Sequence, residues 1–140
     1  MNIRVMTADD YSLVYDLWTS ENEVVLNPVD DSLEGFVKYL KRNPSTSFAA
    51  EENGKIIGTI MAGHDGRRGF FHHVFVASEY RGQGIGKKLD ESAMEALGKE
   101  GITKTALVAF TDNTCGNNFW EKLGFTVRED LYYRNKYIEK

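Results

Sequence analysis

The spacing of apolar residues changes along the chain between a period of two and a period near 3.6. Ile3 and Val5 alternate and predict a short strand over 2–7. Thr7-Ala8-Asp9-Asp10 then reads as a helix start, with a capping hydroxyl and acids in the first turn. Tyr11, Val14, Tyr15 and Trp18 form a helical stripe. Residues 21–30 are a polar loop with Pro28, and Asp31 or Ser32 opens a second helix carrying Leu33, Phe36, Val37 and Leu40. Two strands follow, 46–51 and 55–63, joined by the hairpin dipeptide Asn53-Gly54. Asp65 to Gly69 turn into a third strand, Phe70-Phe71-His72-His73-Val74-Phe75-Val76-Ala77.

The longest helical pattern comes next: Ile85, Leu89, Ala93, Ala96 and Leu97, stopped by Gly101. Residues 103–110 predict an apolar strand, 114–123 a short helix ended by Gly124, and 125–138 two more short strands with Leu131, Tyr133 and Tyr137 partly buried. The order β-α-α-β-β-β-α-β-α-β-β places the chain in the α/β class, as a mixed α+β sandwich around one sheet. The pattern alone goes no further than α+β.

Between the third meander strand and the long helix lies Arg81-Gly82-Gln83-Gly84-Ile85-Gly86. Glycines at alternate positions let backbone N–H groups approach a bulky anion. The helix behind them adds the positive end of its dipole, and Arg81 and Lys87 flank the turn. A phosphate or pyrophosphate ligand is expected. The nucleotide P-loop fails on spacing: counted back from Gly86-Lys87, its first position is Arg81 and its last is Lys88, with no hydroxyl for magnesium. The dinucleotide fingerprint fails too, since the spacing is G-x-G-x-G and lies past mid-chain.

Arg-x-x-Gly-x-Gly after a strand resembles the pyrophosphate-binding signature of the GNAT superfamily of acetyl-CoA-dependent N-acetyltransferases. Residues 74–86 carry that resemblance. Asn113, followed by Phe119-Trp120-Glu121-Lys122-Leu123-Gly124-Phe125, is similar to a second signature of the same family, in the right order. The resemblance covers roughly residues 46–126; the first forty or so match only in their strand–helix–helix pattern. It implies the GNAT-like fold: a central, mixed, mostly antiparallel sheet flanked by helices, with a parallel splay at the site.

The resemblance further implies acetyl-CoA as co-substrate. Backbone groups of Val74, Phe75 and Val76 would pair with the pantetheine arm, and an N–H at or beside Val76 would polarise the thioester carbonyl. Arg81, Gly82, Gln83, Gly84, Ile85, Gly86 and Lys87 would hold the pyrophosphate. Asn113 would bond to the pantetheine or order water; it also reads as a plain strand-end turn residue. The bland reading of Val74, Phe75 and Val76 is core packing, which their side chains can satisfy at the same time.

Acyl transfer to an amine needs a proton acceptor, because an alkylamine with a pKa of about 10.4 is mostly protonated at neutral pH. His73 is the catalytic candidate, an imidazole on the strand that lines the site. Alternation lets at most one of His72 and His73 face the acceptor. Glu51 and Glu52 on the hairpin are further candidates, and either histidine could simply be packed or solvated. Many family members carry a Tyr where Trp120 stands, able to protonate the leaving thiolate. An indole N–H is no practical acid. A thiolate whose acid has a pKa of about 8.5 can leave without much help, and Tyr80, Tyr132, Tyr133 or water are the alternative proton donors. Cys115, near the start of the last helix, offers a covalent route that family members generally do not take.

The 140 residues predict one domain, 1–140. Hydrophobic content of 41% and charged content of 27% are ordinary for a globular protein. A net charge of −4 with no basic block argues against nucleic acid. The single cysteine excludes an intrachain disulfide. No secretory signal, membrane segment or metal site is expected, and the cytoplasm is the default location. The resemblance leaves a homodimer open.

The leading reading is an N-acetyltransferase that passes the acetyl group of acetyl-CoA to a primary amine, on a small molecule, peptide or protein, by direct attack. The alternative is a non-catalytic acyl-CoA-binding sensor or regulatory module, suggested by Trp120 and the lack of an obvious base. A third, a nucleotide-binding transferase, is disfavoured by the loop spacing. Trp18, Leu26 and the 21–30 loop fall where the family places its acceptor-binding wall.

Overall fold

In the computed structural model, which describes residues 1–138, the chain divides into two compact units, Met1–Val108 and residue 109 onward. The first holds a five-stranded sheet in the order β1-β2-β3-β4-β5. Its strands are β1 (Asn2–Val5), β2 (Phe48–Glu52), β3 (Lys55–His64), β4 (Gly69–Val76) and β5 (Thr105–Ala106). The first four pair antiparallel, and β5 runs parallel to β4. Helices α1 (Tyr11–Ser20), α2 (Leu33–Arg42) and α3 (Ile85–Lys99) flank it.

Asn53 and Gly54 take φ of 52° and 77°, the paired left-handed geometry of a two-residue hairpin. That turn sets Glu52 opposite Lys55. Helix α1 is entered through a 3-10 turn, Ala8–Asp10, where the Asp10 carboxylate accepts the Thr7 N–H at 2.8 Å. Arg4 reaches both Asp10 oxygens, at 2.8 and 2.9 Å, and Glu51 at 3.0 Å, so β1, β2 and the helix start share one ionic cluster. Ser32 caps α2 by accepting the Gly35 N–H.

The apolar stripe of α1 is Val14, Leu17 and Trp18; Tyr15 is exposed. From α2 it is Phe36 and Leu40 that enter the core, joining Met6, Ala49, Ile56, Met61 and Phe75, while Leu33 and Val37 stay outside. The long helix α3 packs on β2, β3 and β4 with Ile85, Leu89, Ala93 and Leu97 buried.

Two expectations are corrected. The strand expected over 103–110 is only Thr105–Ala106, paired to Gly69 and Phe70. Beyond Phe70 the ladder stops, and β4 bulges a few residues later, which bends a strand away from straight pairing. Residues 125–138 hold no strand among the described residues. A strand exists only where a second ladder satisfies it, and no pairing forms there. Accordingly Leu131, Tyr133 and Tyr137 are exposed rather than partly buried. The second unit's regular element is α4 (Thr114–Lys122), ended at Gly124. Among the described residues no helix is long and apolar enough to cross a membrane, and no group of side chains is placed to hold a metal ion.

Candidate active site

Strand β4 carries one residue more than its partner: Thr59 faces Phe75 and Met61 faces His72, so His73 and Val74 stand opposite Ile60 alone. His73 sits at the bulge with φ of 47°, a left-handed conformation that few non-glycine residues adopt. Two bonds hold it there. The Thr59 hydroxyl donates to the His73 carbonyl at 2.8 Å, and the Trp18 indole N–H donates to the Thr59 hydroxyl at 3.0 Å. The Trp18 and His73 rings lie 4.7 Å apart. Trp18 is therefore a core residue, 1% exposed, that touches the site from beneath.

Past the bulge, the direction of the backbone groups follows from alternation. The Ala77 N–H donates inward to the Ile57 carbonyl at 2.8 Å. Phe75, two residues back, also faces β3, so the N–H and C=O of Val76 and Val74 face away from it. Parallel pairing with β5 ends at Phe70, which leaves this outward edge without a partner strand among the described residues. Phe75 contributes a buried ring instead.

The chain leaves β4 through a 3-10 turn, Ser78–Tyr80, and enters α3 through Arg81–Gly84. Gly82 and Gly84 have φ of 80° and 79°, with open space where a Cβ would stand. Conformation, not room, demands glycine at both. The first α-helical bond of α3 runs from the Lys88 N–H to the Gly84 carbonyl, so the amides of Ile85, Gly86 and Lys87 precede the ladder and point out of the helix end. This end is built to receive an anion. Gln83 and Lys87 are exposed around it.

Arg81 is engaged elsewhere. Its Nε donates to the Val76 carbonyl at 2.8 Å, and its guanidinium lies over the Phe75 ring at 5.1 Å. Its Nη2 meets Glu23 at 2.5 Å and Glu21 at 3.7 Å, and Glu21 also accepts the Ser78 N–H at 3.0 Å. The loop after α1 is thus tied to the turn before α3.

At the bulge, the Nε2 of His73 lies 2.7 Å from Oδ1 of Asp31, the residue just before the α2 cap. The other carboxylate oxygen accepts the Asn27 N–H at 2.7 Å, and the Asp31 carbonyl accepts the Tyr11 hydroxyl at 2.7 Å. Burial opposes ionisation of Asp31, but the bonds from His73 and Asn27 outweigh it and hold the pKa below the usual carboxylate value. His72 presents an exposed face, packed edge-on to Tyr39 and beside Phe70; desolvation by these neighbours and the charge of His73 lower its pKa. Glu51 is taken up by Arg4, and Glu52 lies 3.9 Å from the N-terminal amine. His64 ends β3 and approaches Glu100 at 3.5 Å.

The structure thus gathers Val74 to Val76, Arg81 to Lys87 and His73 in the first unit. Asn113 belongs to the second, where its side chain accepts the Gly116 N–H at 3.0 Å and caps α4. Trp120 lies in α4 with edge contacts to Phe119 and Phe125, and Cys115 is exposed. Asp31 and Thr59 were not legible as site residues, and Glu21 and Glu23 were marked only through the 21–30 loop, not as partners of Arg81. Asp31 carries only a helix-start signal, and none of the four sits near β4 in sequence.

An unpartnered strand edge thus runs into a glycine-built helix end with open amides, a shape suited to an extended, anionic ligand. The profile of the Acetyltransferase (GNAT) family matches residues 11–125, and the chain belongs to that family: it is an acetyltransferase. It is 31% identical over 139 residues to Acetyltransferase ECA0875 of Pectobacterium atrosepticum, covering 99% of this chain and 97% of that one. Its fold is that of the PaiA N-acetyltransferase of Thermoplasma acidophilum solved with coenzyme A, with a TM-score of 0.76, 21% identity and coverage of 91% and 90%. It is likewise similar to the aminoglycoside N-acetyltransferase AAC(6')-Iy in complex with CoA, with a TM-score of 0.75, 20% identity and coverage of 98% and 100%.

Proposed function

We propose that this acetyltransferase takes acetyl-CoA as its donor and a primary amine as its acceptor, with direct attack of the amine on the thioester. The observation that carries the reading is the continuity of the outward β4 edge with the open amides at the start of α3. Val74 and Val76 would pair with the pantetheine amides, since their N–H and C=O groups face out. The amides of Gln83 to Lys87, with Gly82 and Gly84 shaping the turn, would hold the pyrophosphate. Arg81 would join them by exchanging its carboxylate partners for phosphate. Asn113 is assigned to the same ligand on the family signature, and 1–140 is read as one domain because the family match runs across both units.

The donor supplies an activated acyl group whose thiolate leaves readily. The chain's own task is to place the amine, polarise the carbonyl from the Val76 N–H, and accept the proton that the nitrogen sheds as its bond to carbon forms. His73 is the proposed acceptor, held at the bulge on the unpartnered stretch of β4. Trp120 offers no acid, so the thiolate departs without a protein proton donor in this scheme.

Calorimetric titration with acetyl-CoA tests the donor, alongside Gly84→Glu, which sets a negative side chain in the proposed cradle. Binding by the parent and loss in a folded variant are expected. Failure of the parent to bind would remove the reading. Thiol release with spermidine, kanamycin, glucosamine and an unblocked peptide then tests the acceptor class. Binding without release on any of them would favour an acyl-CoA sensor.

A further inference from the structure

Asp31 and His73 come from segments 42 residues apart and meet at 2.7 Å through one ring nitrogen. Both side chains are largely enclosed, with 10% and 16% of their surface exposed. An ionised carboxylate can only accept, so the shared proton sits on His73 Nε2. Asp31 is itself fixed on three sides: its Oδ2 by Asn27, its carbonyl by Tyr11, and its Oδ1 by His73. His73 is fixed through its backbone by Thr59 and against its ring by Trp18. Among the described residues Nδ1 has no hydrogen-bond partner.

The geometry points to Asp31 as a positioning residue that sets the Nε2–H tautomer of His73 and thereby makes Nδ1 the atom that accepts the proton from the attacking amine. This inference rests on the reading of His73 as the base. The amine nitrogen forms the C–N bond, the C–S pair leaves on sulfur, and the nitrogen's proton passes to Nδ1. The imidazolium so formed lies against the Asp31 carboxylate, which stays ionised throughout, and gives its proton back to water. The charged and titratable groups around the ring are Asp31 from the loop before α2, His72 on the same strand, which also feels Asp30, and Tyr11 from α1, which acts through Asp31. Trp18 and Thr59 supply no charge.

Asp31→Asn discriminates, because it keeps shape and an acceptor for the Asn27 N–H while presenting an NH2 to Nε2. The ring must then accept at Nε2 and move its proton to Nδ1. The full chain is labelled with 15N-histidine, and the tautomer of His73 is read at pH 8, with His64→Gln and His72→Gln for assignment. Nε2–H in the parent and Nδ1–H in Asp31→Asn are expected. On whichever of the four amines turns over, Asp31→Asn should lose roughly a hundredfold or more in kcat/KM with acetyl-CoA affinity unchanged, the range that general-base catalysis contributes. Asp31→Glu should restore part of it. A parent in the Nδ1–H form, or an Asp31→Asn protein with the parent tautomer or parent kcat/KM, overturns the inference. If His73→Ala is inactive in that last case, the base reading stands and only the role of Asp31 falls. If His73→Ala keeps full activity, the base reading falls and the assignment of Nδ1 with it.

Discussion

The Trp18 indole N–H donates to the Thr59 hydroxyl at 3.0 Å in the core, and the same hydroxyl donates a hydrogen bond to the His73 carbonyl. One buried oxygen therefore joins α1, β3 and the bulge of β4. Thr59→Val keeps the shape and removes the hydroxyl, leaving two polar groups unsatisfied. The expected loss is at least about 2 kcal/mol, since each of the two buried groups stripped of its partner costs roughly 1–3 kcal/mol. Urea unfolding measures it, and Thr59→Ser should recover most of it. A valine variant as stable as the parent would show that the bulge does not depend on this relay.

Glu23 and Glu21 pair with Arg81, so a phosphate bound as proposed would have to compete with them for it. The pairs are partly exposed, and such pairs contribute at most about 1 kcal/mol to stability. Their effect should surface in binding instead. Glu23→Gln is expected to bind acetyl-CoA a few-fold more tightly, and Arg81→Ala more weakly, with little change in melting temperature. Equal affinity in all three proteins would take Arg81 out of the ligand set.

The Arg4–Asp10 pair gives an acid-side prediction. Burial raises the Asp10 pKa, but the bonds from Arg4 and the Thr7 N–H more than reverse that, so the folded value lies below the unfolded one. Arg4 is raised in turn, chiefly by its bond to Asp10. For a depressed carboxylate the stabilisation is present above the unfolded pKa and is lost as pH falls through the folded one. Asp10→Asn should cost about 2 kcal/mol at pH 7, the range of a hydrogen bond to a charged group. That deficit should shrink below about pH 4, the unfolded value. Urea midpoints at pH 7 and pH 3 decide; a deficit independent of pH would mean that shape, not charge, carries the effect.

Asp90 works in the other direction. It is buried in α3 with Oδ1 unpartnered, and desolvation together with Glu91 pushes its pKa up to about 6. A raised folded value means full stability below the unfolded pKa and a loss as pH rises through about 6. The rise of about two units corresponds to a penalty of up to about 3 kcal/mol above pH 7. Asp90→Asn should stabilise the protein at pH 8 and have little effect at pH 4. Thermal melts across that range check it, and a destabilised asparagine variant at pH 8 would assign the carboxylate a partner.

Local signals were legible where they needed no distant partner. Asn53-Gly54 marked the hairpin, and the run from Arg81 to Gly86 marked the glycine turn that opens α3, because both act through their own backbone. The facing of His73 was not readable, since alternation breaks where an extra residue enters β4. Asp31 showed only the chemistry of a helix start, although it meets a strand 42 residues on. The tyrosines and Leu131 of the C-terminal segment have the alternation of a strand, but alternation forms none without a second ladder. Residues 103–110 are apolar enough for a strand, yet β4 offers them only two positions to pair with.

The early end of the β4–β5 ladder also bears on handling the protein. An open run of strand backbone can be extended by another copy of the chain as readily as by a ligand arm. Arg81, seated on the Val76 carbonyl, blunts that run at one end. The ligand-free protein should be the form that clumps on warming, and a saturating donor should act as a solubility agent as well as a reactant.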